Sequence, residues 1–145
     1  MSETLAKSYK STIIPALRYR DAHAAIAWLV RVFGFTAQAV FDGPDNTVAH
    51  AQLVLGNGMI MLGSASNQGE MAKFMVEPGE IGRRSTASIY LVVEDAAALY
   101  ENAKAADAEI IQELREMDYG GKAFNCLDPE GHLWSIGEYD PWAPA

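Results

Sequence analysis

The sequence contains a single cysteine, Cys126, among its 145 residues. One cysteine cannot form an internal disulfide, which excludes a disulfide-stapled secreted fold and favours a reducing compartment. A lone cysteine is also more typical of a small buried hydrophobic side chain than of a reactive thiol. We therefore expect Cys126 to be buried and inert.

Positive charge and long apolar runs are scarce as well. Lys and Arg number 11 against 19 Asp and Glu, and the formal net charge is -8. Because this sign opposes binding to a phosphate backbone or to an anionic membrane surface, we expect neither nucleic acid nor a membrane as a partner. No apolar run approaches the roughly 20 residues of a membrane-spanning helix, and MSETLAKSYK at the start lacks the apolar core of a signal peptide. The sequence predicts a cytoplasmic protein.

Several catalytic motifs are missing too. The sequence has no phosphate-binding glycine-rich loop, no G-x-S-x-G, no H-E-x-x-H and no C-x-x-C. Glu113 and Glu116 lie on a predicted strand on either side of Leu114, a pattern that a solvated strand face explains. No catalytic residue is assigned on these grounds.

What the sequence does contain is one pattern of predicted elements that occurs twice. The first half has the strand TIIPALRY, the helix AHAAIAWLVRVF, and the strands TAQAVF, TVAHAQLVL and MIML. The second half has TASIYLVV, the helix AAALYENAKAA, and the strands EIIQELREM, KAFNCLD and HLWSIGEY. Each half therefore has the order β-α-β-β-β, and a polar stretch punctuated by glycine and proline separates them.

The helix starts mark the repeat. Asp21 and Asp95 precede the two predicted helices and are expected to cap them. When these two aspartates are aligned, RDAHAAI lies over EDAAALY, which indicates an internal duplication. We interpret 12–64 as the first unit, 65–85 as a connection and 86–140 as the second unit. All of 1–145 is expected to form one domain, since this is close to the commonest domain size.

Apolar spacing predicts which residues of the first helix are buried. The apolar residues that recur at helical spacing, and that we expect to form the buried stripe, are Ile26, Leu29, Val30 and Phe33. Trp28 and Trp134 are also predicted to be core residues, because packing of helix and sheet explains them without a ligand.

Three short stretches, taken in order, resemble the vicinal oxygen chelate superfamily. They are RDAHAAI at the start of the first helix, FGF at its end, and DPEGHLW before the last strand. The superfamily groups glyoxalase I, extradiol dioxygenases, the fosfomycin and bleomycin resistance proteins and the PhnB-like proteins. The resemblance covers roughly 12–140. It implies an α+β fold of two tandem βαβββ units that form curved mixed sheets around a shared cavity, and it implies a homodimer.

In the metal-dependent members of this superfamily, four side chains on inner strands hold a divalent ion. Counting back from the helix-capping aspartates places two of these positions at Ile14 and Ser88. The position before the central hairpin is Gln52, and counting on from Asp128 gives Ser135. One alkyl group, one amide and two hydroxyls supply almost no negative charge to compensate a divalent cation. We therefore predict no metal and no other cofactor.

Other residues are candidates for binding a ligand. Arg18 lies in LRYRD, where the sequence resembles glyoxalase I, and could hold an anionic group through a bidentate fork, although a surface arginine paired with Asp21 explains it equally well. Strand alternation places His50 on the same face as Gln52, and Tyr90 on the same face as Ser88. The candidate ligand-binding residues are Arg18, His50, Gln52, Ser88, Tyr90 and Ser135.

Two functions of different class follow. The first is metal-independent binding of a small organic molecule in the cavity, as in bleomycin resistance proteins. The alternative is a divalent-metal-dependent lyase, isomerase or dioxygenase with an unusual ligand set that includes His50 or Gln52. The neutral inner residues favour the first function. A protein that keeps the fold and has neither role is a third possibility.

Overall fold

A computed structural model describes residues 10–144. Within that range the strands are β1 (Ala16–Tyr19), β2 (Thr36–Asp42), β3 (Val48–Leu55), β4 (Gly58–Ser64), β5 (Ile89–Val92), β6 (Glu109–Glu116), β7 (Lys122–Leu127) and β8 (Leu133–Gly137). The helices are α1 (Ala22–Phe33) and α2 (Ala96–Ala105). Neither is long and apolar enough to cross a bilayer.

Each half of the chain forms its own four-stranded mixed sheet. The first sheet has the order β1-β4-β3-β2 and the second has β5-β8-β7-β6. In both sheets the first strand is parallel to the fourth, and the remaining neighbours are antiparallel. The predicted α+β fold with two βαβββ units is confirmed.

The chain divides into two compact units between Met75 and Val76, except that Arg31–Phe33 groups with the second unit. This boundary falls inside the stretch 65–85 that the sequence indicates as a connection. That stretch contains three short 3-10 helices, Ala65–Asn67, Gly69–Lys73 and Pro78–Ile81. The single domain and the cavity shared by the two sheets stay predictions.

Both helices begin where the repeat predicts. Asp21 Oδ1 accepts a hydrogen bond from the Ala24 backbone N–H at 3.1 Å, and Asp95 Oδ1 accepts one from Ala98 at 3.1 Å. Each bond satisfies one of the backbone N–H groups that the first turn of a helix leaves unpaired. Helix α1 ends at Gly34, whose φ of 86° is a left-handed conformation that glycine adopts without strain.

Of the four residues predicted for the buried stripe of α1, Leu29 and Phe33 are buried, Ile26 is half-buried and Val30 is exposed. The buried side chains of α1 are Ala22, Ala25, Trp28, Leu29, Val32 and Phe33. The prediction is wrong for Val30, which is 40% exposed. Val30 lies about 100° around the helix from Leu29, which places it outside the arc that the buried side chains occupy. The predictions that Trp28 and Trp134 are core residues are confirmed.

A buried carboxylate organises the turn that precedes β8. Asp128 has no exposed surface, and its Oδ1 accepts backbone hydrogen bonds from Glu130 and His132, both at 3.0 Å. Its Oδ2 accepts a hydrogen bond from Trp134 Nε1 at 3.0 Å. The carboxylate thus fixes the turn and the first inward side chain of the strand together, which sets the register of β8.

Candidate functional site

One face of each sheet is buried and the opposite face is partly open. The buried side chains that alternate along the strands of the second sheet are Leu91, Phe124, Cys126, Trp134 and Ile136, and Leu127 at the end of β7 is also buried. Helix α2 lies against β6, β7 and β8. Because side chains alternate along a strand, Tyr90, Asn125 and Ser135 belong to the opposite face. The expected burial of Cys126 is confirmed. The open face of each sheet is the candidate site.

Polar side chains form a row across the open face of the second sheet. In the backbone register Tyr90 pairs with Ser135, and Ser135 pairs with Asn125. Asn125 in turn pairs with Gln112. Residues directly opposite each other on neighbouring strands have adjacent side chains. Asn125 Nδ2 donates a hydrogen bond to Gln112 Oε1 at 2.5 Å, so the row ends in a bonded pair of amides.

The first sheet contains a matching pair of amides. Gln52 Nε2 donates a hydrogen bond to Gln38 Oε1 at 2.7 Å. Gln52 Oε1 lies 2.9 Å from His50 Nε2, and the His50 ring lies 26° from the plane of Phe41, with ring centroids 6.1 Å apart. The two amide pairs, Gln38–Gln52 and Gln112–Asn125, each join the second strand of a unit to the third.

An irregularity in the strand pairing accompanies each amide pair. In the first sheet Ala37 pairs with Leu53 and Ala39 pairs with Gln52, which leaves Gln38 as an extra residue. In the second sheet Ile110 pairs with Cys126 and Gln112 pairs with Asn125, which leaves Ile111 as the extra residue. Such bulges redirect side chains locally. In both units, therefore, a glutamine of the second strand lies at or next to the extra residue.

The structure brings some of the candidate residues together. His50 and Gln52 are hydrogen-bonded in the first unit, and Tyr90 lies beside Ser135 in the second. Ser88 is exposed and directly precedes β5.

Arg18 lies on β1, away from the first unit's amide pair in the sheet order. It pairs with Gly63 of β4, and a Cβ at Gly63 would lie only 3.3 Å from Arg18 Nη1, so the guanidinium passes close over that glycine. A role in ligand binding for all six candidate residues stays a prediction.

The residues at the four expected metal-ligand positions, Ile14, Gln52, Ser88 and Ser135, do not fit a divalent metal. Within residues 10–144, no three or more His, Cys, Asp and Glu side chains are grouped so that they could hold a metal ion. His50 Nε2 is engaged by the neutral amide of Gln52, which is bonded in turn to a second neutral amide, that of Gln38. Neutral amides and hydroxyls leave the charge of a divalent ion uncompensated.

Glu138, three residues after Ser135, has a structural role. Its carboxylate accepts backbone hydrogen bonds from Lys122 at 2.9 Å and from Ala96 at 3.0 Å. These two bonds, the Lys122 bond first, hold the pKa of Glu138 below its ordinary value. The side chain thereby ties the start of β7 to the start of α2.

We expect Glu138→Gln to make unfolding less sensitive to acid. The folded-state pKa of Glu138 lies below its ordinary value of 4.5. The contribution of this carboxylate to stability is therefore present above pH 4.5 and is lost as the pH falls through the folded-state pKa. Urea unfolding near pH 7 and at about pH 3 should show a loss in the variant that shrinks at the lower pH. Glu116→Gln, an exposed substitution, is the matched control. Equal losses at both pH values would contradict the role of the carboxylate.

Tyr90 lies directly over Gly137 of β8. A Cβ at Gly137 would come 2.6 Å from Tyr90 Oη, so the phenol can occupy this place only over a glycine. Tyr90 Oη donates a hydrogen bond to the Tyr139 carbonyl oxygen at 2.7 Å. Burial raises the pKa of Tyr90, with smaller contributions from Tyr119, Tyr139 and Asp140.

Comparison with protein families places the chain among known relatives. The model of the Glyoxalase/Bleomycin resistance protein/Dioxygenase superfamily matches residues 13–136. The chain belongs to this superfamily, which confirms the resemblance seen in the sequence.

Individual proteins that are similar to this chain do not carry a specific activity over to it. Rv0887c, an uncharacterised protein of Mycobacterium tuberculosis, is 29% identical over 136 residues, which cover 94% of this chain and 79% of the relative. TioX from Micromonospora sp. ML1 has a TM-score of 0.67 and 28% identity over 90% of this chain and 99% of its own. A glyoxalase-related enzyme from Fulvimarina pelagi has a TM-score of 0.66, covers 92% of each chain and, at 18% identity, shows the fold alone.

Proposed function

We propose that the protein binds a small organic molecule without a metal, on the open faces of its sheets. The observation that carries this proposal is the amide pair that recurs in both units, Gln38–Gln52 and Gln112–Asn125. An amide side chain carries two N–H donors and an oxygen with two lone pairs. One bond within each pair leaves donors and acceptors with which to bind a carbonyl, amide or hydroxyl group of a ligand.

The other candidate residues extend these polar rows. Ser135 and Tyr90 continue the second row toward β5, and His50 continues the first next to Gln52. Ser88 adds a hydroxyl just before β5. We assign to Arg18 the binding of an anionic ligand group, since a guanidinium offers a fork of donors that matches a carboxylate.

We also propose that the protein is a cytoplasmic homodimer. A single cysteine suits a reducing compartment. In the described part of the chain each sheet ends in two edge strands, β1 and β2 in the first and β5 and β6 in the second. Edge strands expose backbone groups that a second copy can cover or pair with.

The proposal predicts that ligand binding depends on the amides and is indifferent to chelators. Benzamide, a neutral aromatic amide, is titrated against the protein with and without EDTA, and side-chain amide resonances are followed by NMR. We expect saturable binding that EDTA leaves unchanged and that Asn125→Leu weakens about tenfold, the cost of one or two lost hydrogen bonds. Asn57→Ser, in the exposed β3–β4 turn, is the control and should bind benzamide as the wild type does.

The metal-dependent alternative makes the opposite prediction. Protein purified without chelator is analysed for bound metals, and is assayed with methylglyoxal hemithioacetal and with catechols in the presence of Ni, Mn, Fe and Zn. Stoichiometric metal together with turnover that EDTA abolishes would refute the proposal. Benzamide binding that is the same in Asn125→Leu as in the wild type would refute the role of the amide pair.

A further inference from the structure

The second unit contains a cluster of three tyrosines that is separate from the amide pairs of the proposed function. Tyr90 on β5 is joined to Tyr139 by the hydrogen bond from its Oη to the Tyr139 carbonyl oxygen, 2.7 Å long. The rings of Tyr139 and Tyr119 meet edge to face, with centroids 5.1 Å apart and 77° between their planes. Tyr119 lies in the hairpin between β6 and β7. We call Tyr90, Tyr119 and Tyr139 the tyrosine cluster.

The tyrosine cluster presents aromatic surface to solvent. Tyr90, Tyr139 and Tyr119 are 41%, 45% and 58% exposed, and Trp142 close by in sequence is 93% exposed. Several large aromatic side chains left exposed together are uncommon on a protein surface that has no binding role. Their electron-rich faces are surfaces on which a positive charge is stabilised.

The backbone around the tyrosine cluster holds it in a defined geometry. In the β6–β7 hairpin the Met117 N–H donates to the Gly121 carbonyl oxygen at 2.8 Å, and the Gly120 N–H donates to the Met117 carbonyl oxygen at 2.9 Å. Glu138 accepts the Lys122 N–H at the end of this hairpin. The backbone segments that carry Tyr119 and Tyr139 are therefore tied together, which lowers the entropy cost of bringing their rings around a ligand.

The charge around the tyrosine cluster is mainly negative. The two segments that carry Tyr119 and Tyr139, 116–122 and 138–140, contain four acidic residues and one lysine: Glu116, Asp118, Glu138, Asp140 and Lys122. The Asp140 carboxylate is near enough to raise the pKa of Tyr90, and its Oδ1 accepts the Trp142 N–H at 2.9 Å. Electron-rich rings beside a carboxylate favour a cation and disfavour a phosphate or a carboxylate ligand.

We propose that the tyrosine cluster and Asp140 bind a small organic cation of the alkylammonium or quaternary ammonium class. The rings contact its methyl groups or methylenes, and Asp140 balances its charge. Of these residues only Tyr90 also belongs to the polar row of the proposed function, so each proposal can fail without the other.

Choline and its neutral isostere 3,3-dimethyl-1-butanol are the probes that test this inference. The two molecules have nearly the same shape and differ in charge. A comparison of their affinities at constant ionic strength therefore measures the contribution of the positive charge to binding. Binding is followed through the NMR signals of the tyrosine ring protons. We expect choline to bind saturably. We expect the neutral alcohol to bind at least about fivefold more weakly, since fivefold is the size of a cation–π contribution.

Variants assign the binding to the tyrosine cluster. We expect Tyr119→Leu and Asp140→Asn each to weaken choline binding about fivefold, and Tyr119→Phe, which keeps a ring, to retain most of it. Glu101→Gln, an exposed change on α2, should leave it unchanged, and so should Asn125→Leu. Equal binding of choline and the alcohol, absence of saturation, or equal affinity in Tyr119→Leu and the wild type would overturn the inference.

Discussion

Asp128→Ala is expected to lower the free energy of unfolding by about 3–5 kcal/mol, because the substitution removes a buried carboxylate that accepts three hydrogen bonds, one of them buried and two part-buried. The Trp134 indole N–H is the most costly of the orphaned donors, since this side chain has no exposed surface and cannot turn to water. The substitution also leaves a space where the carboxylate was. Urea unfolding followed by tryptophan fluorescence measures the loss.

Two further variants keep this prediction falsifiable. Asp118→Ala removes an exposed carboxylate in the β6–β7 hairpin and should change stability by about 0.5 kcal/mol or less. Asp128→Asn keeps the shape and one acceptor oxygen, and we expect it to fold with an intermediate loss if the alanine variant does not fold. A loss under about 1 kcal/mol for Asp128→Ala would show that the turn holds without its carboxylate.

The Cys126 thiol is expected to react with Ellman's reagent at least about a thousandfold more slowly in the native protein than in the unfolded chain. Burial, with a further contribution from the Asp128 carboxylate, raises the pKa of Cys126 from 9.0 to about 12. The thiolate is the reactive form, and three pKa units reduce its fraction at neutral pH by about a thousand. The side chain also has no exposed surface for the reagent to reach.

Comparison of native and urea-unfolded protein tests this prediction without any substitution. Cys126 is the only cysteine, so every released chromophore reports on this one thiol. In the unfolded chain we expect prompt stoichiometric reaction, and in the native protein a rate set by transient opening. Prompt stoichiometric reaction of the folded protein would contradict it.

The fold could be predicted largely from local signals. Asp21 and Asp95 mark helix starts through hydrogen bonds that span three residues, and alternation along each strand identifies its buried side. The error at Val30 has a different origin. Spacing along a helix gives the direction of an apolar stripe, but its width depends on neighbours that only the folded chain supplies.

The candidate site was predictable only in part. Alternation correctly placed Gln52 and His50 on one face, where the structure joins them by a hydrogen bond. Gln38, Gln112 and Asn125 were missed, because their meeting depends on strand register and on one extra residue in the second strand of each unit. One signal was present in the sequence: a glutamine occurs at a similar place in TAQAVF and in EIIQELREM.

The strand order of the second sheet has a consequence for synthesis on the ribosome. Of the four strands of this sheet, β8 is made last, yet it lies between β5 and β7. Until β8 has been made, β5 has no neighbouring strand in this sheet and β7 has only one. The sheet is therefore incomplete during translation and cannot bury its apolar face. The first sheet has all four strands once Ser64 has left the exit tunnel and can form earlier. The two halves, although duplicated in pattern, thus become foldable one after the other.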